Sequence, residues 1–192
     1  MNEYEYHIFF SYKRERLTLD WHRKVVDLIK LYVRNSLNIG EDGLKIFFDE
    51  KEIETGNYFE EDISQAIRTS MCMVAIWTPD YFHSNWCLSE FHSFLKRQES
   101  LANKLIIPAS FHDGINFPAE AKAIQFEDFT DYASPIKAFW DTSDAVEFAK
   151  KLRNFSENIA SKIRRAPEFD ANFPFLSVKN EKATPFIKRM NK

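Results

Sequence analysis

Five short apolar runs recur along the chain, and the stretches between them carry helical spacing. The runs are residues 7–11 (HIFFS), 45–49 (KIFFD), 72–77 (CMVAIW), 104–109 (KLIIPA) and 123–127 (AIQFE), the last being the weakest. Most are continuous rather than alternating, the mark of strands buried on both faces of a parallel sheet. Trp21, Val25, Leu28, Ile29 and Tyr32 fall on one stripe of a helix. Asn57 and Glu60 predict a capping box opening a helix that carries Phe59, Ile63, Ala66 and Ile67. Ser84 predicts the N-cap of a third helix, with Cys87, Phe91, Phe94 and Leu95 along one side. A last helix starts near Ser143 and shows Phe148, Leu152, Phe155, Ile159 and Ile163. The stretch 105–129 is less periodic and predicts no helix between its strands. Strands alternating with helices imply an α/β domain of three layers, α/β/α, around a five-stranded parallel sheet. The flavodoxin-like strand order 2-1-3-4-5 is the expected one, although spacing alone does not fix it.

The length of 192 residues suits one domain. Past Arg165 the texture changes, as Pro167, Pro174 and Pro185 punctuate the chain. We therefore expect a domain over 1–165 and a tail, linker or appended edge element over 166–192. Glycine narrows the chemistry. Only 4 residues of 192 are Gly, and they are scattered. No GxGxxG or GxxxxGK can be assembled, which excludes a Rossmann fingerprint and a P-loop. The net charge of −3 carries no basic footprint for nucleic acid. An acidic N-terminus precedes the first apolar run, unlike a signal peptide. No apolar run approaches the roughly 20 residues needed to span a bilayer. Two cysteines, Cys72 and Cys87, cannot build a disulfide framework. A cytoplasmic protein is the expectation. The five histidines show no ligand spacing, so no metal site is expected.

In an open α/β sheet, ligands bind beyond the carboxyl ends of the strands, where strand order reverses. Here that is the crevice between strands one and three. Ser11, Tyr12, Lys13 and Arg14 leave strand one, Asp49 and Glu50 leave strand two, and Trp77 and Thr78 leave strand three. The third helix starts at the same edge and carries Trp86 and Glu90, which share a face at i and i+4. An aromatic cluster (Tyr12, Trp77, Tyr81, Trp86) thus meets one carboxylate in an otherwise apolar setting.

These residues carry a resemblance. Ile8-Phe9-Phe10-Ser11-Tyr12, Phe47-Phe48-Asp49 running into Ile53-Glu54-Thr55-Gly56, and Asn85-Trp86-Cys87-Leu88-Ser89-Glu90 resemble three motifs of Toll/interleukin-1 receptor (TIR) domains of the bacterial type. The second of these motifs ends in the BB loop, and the third is a W-C-x-x-E signature. Phe111-His112-Asp113-Gly114 with Phe117-Pro118 adds a fourth. The likeness covers roughly residues 5–165. It implies one of two functions. Some such domains cleave NAD⁺, as glycohydrolases or cyclases. Others are signalling scaffolds without catalysis that act by homotypic assembly. The enzymatic members carry a Glu that maps onto Glu90, and many scaffolds lack it. A TIR of this kind resembles components of antiphage defence of the Thoeris type. There it would deplete NAD⁺ or make a cyclic messenger for a separate effector or sensor protein.

The chemistry suits a single carboxylate. Cleaving the nicotinamide–ribose bond passes through an oxocarbenium-like state, as other glycoside cleavages do. Nicotinamide leaves neutral from a pyridinium, so no general acid, metal or cofactor is needed, and NAD⁺ itself is the substrate. Glu90 would supply negative charge near the ribose. Phe10 or Trp77 would stack on a base, and Arg14 or Lys13 would meet the pyrophosphate. Ser11, Tyr12, Asp49 and Trp86 complete the expected substrate-binding set. Glu52, Ile53, Glu54, Thr55 and Gly56 form the expected assembly surface. Blander readings stand beside these. A lone helix Glu is usually solvated. Trp86 is as readily core packing as a site residue. Asp49 is as readily a turn former, and Cys87 shares the apolar stripe of its helix. A phospho-acceptor receiver domain has the same topology. It requires acidic residues after strand one, an Asp at the end of strand three and a Lys at the end of strand five, whereas here strand one ends in Ser11-Tyr12 and strand three in Trp77-Thr78-Pro79. Flavin binding fails for want of a hydroxyl-rich loop after strand one.

Overall fold

The structure is a computed structural model that describes residues 3–49, 58–112 and 114–178. Its elements run β1 (Tyr6–Tyr12), α1 (Leu19–Leu37), β2 (Ile46–Phe48), α2 (Tyr58–Thr69), β3 (Ser70–Trp77), α3 (Asn85–Arg97), β4 (Ile106–Ser110), α4 (Ala119–Lys122), β5 (Glu127–Asp128) and α5 (Ser143–Arg164). The strands form one sheet in the order β2-β1-β3-β4-β5, and every neighbouring pair is parallel. This is the expected α/β architecture.

The sheet divides two cores, and strand alternation decides which residue enters which. Ile8, Phe10 and Tyr12 of β1 join Cys72, Val74 and Ile76 of β3 beneath α1 and α5. Phe9 of β1 joins Met73, Ala75 and Trp77 of β3 beneath α2 and α3. The helix ends follow ordinary capping rules. Ser84 Oγ accepts the Cys87 N–H at the start of α3, and Thr142 Oγ1 accepts the Ala145 N–H at the start of α5. Asn38 ends α1 in the left-handed region, with φ of 55°. Asn57, read as the cap of α2, lies outside the described residues.

The fifth strand differs from expectation. Pairing with β4 occurs at Glu127 and Asp128, opposite Ala109 and Ser110, and both β5 residues are exposed. The apolar residues that predicted a strand over 123–127 are put to another use. Ile124 and Phe126 pack into the core beneath α3, with Phe126 against Trp77 and Phe117. They plug the end of the sheet instead of extending it. A four-residue helix, α4, also stands where no helix was expected.

The chain after α5 doubles back along α3. Tyr4 donates to the Pro167 carbonyl. The N–H groups of Leu176 and Val178 donate to Ser93 Oγ and Ser89 Oγ at 2.8 and 2.9 Å. The segment therefore runs from the last turn of α3 towards its first. Arg97 anchors it. The guanidinium donates to the Ser70 carbonyl and to the Tyr4 hydroxyl, and it lies 3.5 Å from the centre of the Phe173 ring. Arg97→Ala removes a buried charge-assisted hydrogen bond and this cation–π contact together, at an expected cost of about 2 kcal/mol. Urea unfolding and limited proteolysis check this. An unchanged midpoint with no new cleavage in 166–178 would contradict it.

Candidate active site

The site forms where the order β2-β1-β3 splits the chain to opposite sides of the sheet. Alternation in β1 sends Ser11 to the α3 side, the same side as Phe9. On α3, Cys87, Glu90, Phe91 and Phe94 fall at i, i+3, i+4 and i+7, so Glu90 sits on the inward stripe of the helix. Glu90 is 8% exposed. Ser11 Oγ donates to Glu90 Oε2 at 2.5 Å and lies 2.7 Å from the Tyr81 hydroxyl. Tyr81 is held in the turn Pro79–His83, where Thr78 Oγ1 accepts its N–H at 3.0 Å.

Above Glu90 opens a cavity of about 300 Å³. Phe9, Phe10, Phe47 and Ile63 give it apolar walls. Tyr12, Arg14 and Asp49 supply polar groups where β1 and β2 end. Arg14 and Asp49 form an ion pair across these two strand ends, and the Tyr12 hydroxyl donates to the Asp49 carbonyl at 2.8 Å. Lys13, Ser84, Trp86 and Cys87 complete the lining, with Trp86 37% exposed. A larger hollow of about 450 Å³ lies along β4 among Ile106, Ile107 and Lys162. It contains none of the expected site residues.

Burial sets the electrostatics. Desolvation pushes the Glu90 carboxyl up to about 8, against the Ser11 hydrogen bond, which lowers it. Asp49 raises it further and Arg14 lowers it. At neutral pH Glu90 is therefore held mostly as the neutral acid. Burial also pushes the Cys87 thiol up to about 12, so it is no nucleophile. Among the described residues no group of His, Cys, Asp and Glu has the geometry to hold a metal ion. Among the same residues no helix is long and apolar enough to cross a membrane.

The structure brings Glu90, Phe10, Tyr12, Arg14, Asp49 and Trp86 to one cavity. Ser11 is not part of its lining, because it stands behind Glu90 and holds the carboxyl. Trp77 is not brought there either. It ends β3 on the α3 side, fully buried, boxed by Phe82, Phe91, Phe117 and Phe126. Its ring is core and has no open face for a base. Glu52, Ile53, Glu54, Thr55 and Gly56 lie outside the described residues. Sequence reasoning missed Phe47 and Ile63 as walls. The signal for Phe47 is its place two residues before Asp49 in the apolar run that ends at the crevice.

The family pattern of TIR domains matches residues 8–142. A stretch of 68 residues is 35% identical to a protein named NAD(+) hydrolase TirS from Staphylococcus aureus strain MSSA476, covering 35% of this chain and 24% of that one. A stretch of 111 residues is 32% identical to a protein named probable 2' cyclic ADP-D-ribose synthase BdTIR from Brachypodium distachyon, covering 58% of this chain and 42% of that one. The chain thus matches less than half the length of these curated relatives. The TIR domain of the Toll-related receptor TRR-2 from Hydra magnipapillata superposes with a TM-score of 0.46 at 20% identity, over 76% of this chain and 98% of that one. With the family pattern extending over most of its length, the chain belongs to the TIR domain family.

Proposed function

We propose that the chain cleaves the nicotinamide–ribose bond of NAD⁺, with Glu90 as the catalytic carboxylate. The observation that carries this reading is a buried carboxyl, hydrogen-bonded from behind by Ser11, facing a largely apolar cavity at the sheet's switch point. About 300 Å³ stands at the low end of ligand pockets, which run from about 300 to 1,000 Å³. It takes the nicotinamide riboside half of a dinucleotide. The pyrophosphate and adenosine then lie at the mouth, near Arg14, Lys13 and the half-exposed Trp86.

The substrate's own charge completes the site. A pyridinium cation entering beside Glu90 favours the carboxylate over the acid. The C1'–N1 bond then breaks with its electron pair going to the nicotinamide nitrogen. The positive charge passes to the ribosyl oxocarbenium ion, opposite the Glu90 anion. Water attacking C1' gives ADP-ribose and a proton. Capture by the adenine or a ribose hydroxyl of the same molecule gives a cyclic ADP-ribose and a proton.

The reading extends to assembly and setting. Asp49 and Ile63, which flank the expected assembly segment in the sequence, both line the cavity. A neighbouring copy would complete the site, so activity per chain rises with concentration. A place in bacterial antiphage defence, beside a separate effector or sensor, is supported by the motif resemblance.

The test is the pH dependence of nicotinamide release. Because kcat/KM reports the free enzyme and the carboxylate is the competent form, kcat/KM climbs with pH and levels off above about 8. The kcat midpoint lies lower, since bound cation draws the proton off. A kcat/KM that is flat or falls between about pH 6 and 9 contradicts the role given to Glu90.

A further inference from the structure

We propose that Tyr81 is a positioning residue whose hydroxyl orients Ser11 and thereby presents one chosen oxygen of Glu90, Oε1, to the cavity. This rests on Glu90 as the reactive carboxylate. Donor and acceptor accounting carries the argument. Tyr81 is fully buried, and among the described residues its hydroxyl meets an acceptor in Ser11 Oγ at 2.7 Å. The Trp77 indole N–H beside it is a donor and offers no acceptor, and Cys87 and Glu90, which also act on the phenol, make no hydrogen bond to it. A buried phenol spends its proton on the acceptor within reach, so Tyr81 donates to Ser11. Ser11 has one proton, and the oxygen 2.5 Å away is Glu90 Oε2. The chain of donors runs Tyr81 to Ser11 to Glu90, from core towards cavity, each bond polarising the next. Oε2 is then always an acceptor, and the proton that Glu90 gains or loses sits on Oε1.

The surroundings allow this to be isolated. Among the described residues, the charged groups near Glu90 are Asp49 from the end of β2 and Arg14 and Lys13 from the end of β1. The Cys87 thiol on α3 stays protonated. Tyr81 stays neutral too, since burial raises its phenol well above 10. Tyr81→Phe therefore changes no charge, and Phe keeps the ring contact with Phe82 at 5.1 Å. It leaves the Ser11 hydroxyl free to turn away from Oε2.

Two readouts test the proposal on the full chain. The first is the Glu90 titration, followed as the pH dependence of unfolding free energy relative to Glu90→Gln. Tyr81→Phe is expected to move its midpoint up by roughly half a unit to one unit. The second is nicotinamide release, where kcat falls about tenfold and KM for NAD⁺ stays within about twofold. Ser11→Ala moves both readouts the same way and further, and adding Tyr81→Phe to it changes neither. A midpoint and kcat unchanged in Tyr81→Phe, or effects of the two substitutions that multiply, overturns the relay. Should the unsubstituted chain release no nicotinamide, the proposed function falls while the titration still decides the role of Tyr81. If Tyr81→Phe does not fold, Ser11→Ala decides alone: an unshifted titration there overturns the proposal.

Discussion

Glu90→Gln is expected to lower nicotinamide release from NAD⁺ by about a thousandfold while the domain stays folded. The magnitude follows from the charge that is lost. A unit negative charge about 4 Å from a developing cation is worth about 4 kcal/mol at an effective dielectric near 20, close to three powers of ten in rate. Glutamine keeps the size of the side chain, and its carbonyl oxygen accepts the Ser11 hydrogen bond as Oε2 does. What disappears is the anion. The measurement is initial rates by chromatography, with thermal unfolding run on the same preparations. A folded variant keeping more than about a tenth of the rate would remove the carboxylate from the mechanism.

The same substitution is expected to stabilise the fold at alkaline pH. The Glu90 carboxyl is raised from 4.5 to about 8 in the folded chain. Below pH 4.5 both folded and unfolded chains hold the proton, and the site costs nothing. As pH rises from there through about 8, the unfolded chain sheds its proton first. Stability is lost over that window, by an amount on the order of 4 kcal/mol. Glu90→Gln has no proton to lose. The two proteins should match near pH 4, and the variant should lead by several kcal/mol near pH 9. Burial lowers His22 to about 4, which takes stability away as pH falls. Both proteins share that loss, and it cancels in the difference. Urea unfolding across this range checks the expectation, and parallel curves with no widening gap contradict it.

Much of this was legible in the residues because alternation and helical spacing are local. The continuous runs gave the inner strands, and the Ser84 cap gave the start of α3. The inward stripe of α3 already contained Glu90, three residues from Cys87 and one from Phe91. The rest depended on contacts between distant segments. Trp77 looked available because it ends a strand at the crevice. Its fate was decided by Phe117 and Phe126, which fold back from beyond β4 to close over it. The apolar run 123–127 reads as a strand because side chains that pack against a core from outside the sheet, as Ile124 and Phe126 do, have the composition of a strand. The prolines after Arg165 marked a change of texture. They did not show that Ser89 and Ser93 would accept the backbone of Val178 and Leu176, more than 80 residues away. In the sequence Tyr81 is one aromatic of the cluster near the crevice. Its role as a hydroxyl donor appears only once Ser11 is seen between it and Glu90.

The most direct measurement is the full chain incubated with NAD⁺, dilute and then crowded, with products separated and weighed by mass spectrometry. The account predicts equimolar nicotinamide and either ADP-ribose or a cyclic isomer, with a higher rate per chain in the crowded sample. NAD⁺ recovered intact from both samples, from a protein shown to be folded, would contradict it and favour a scaffold that works by assembly alone.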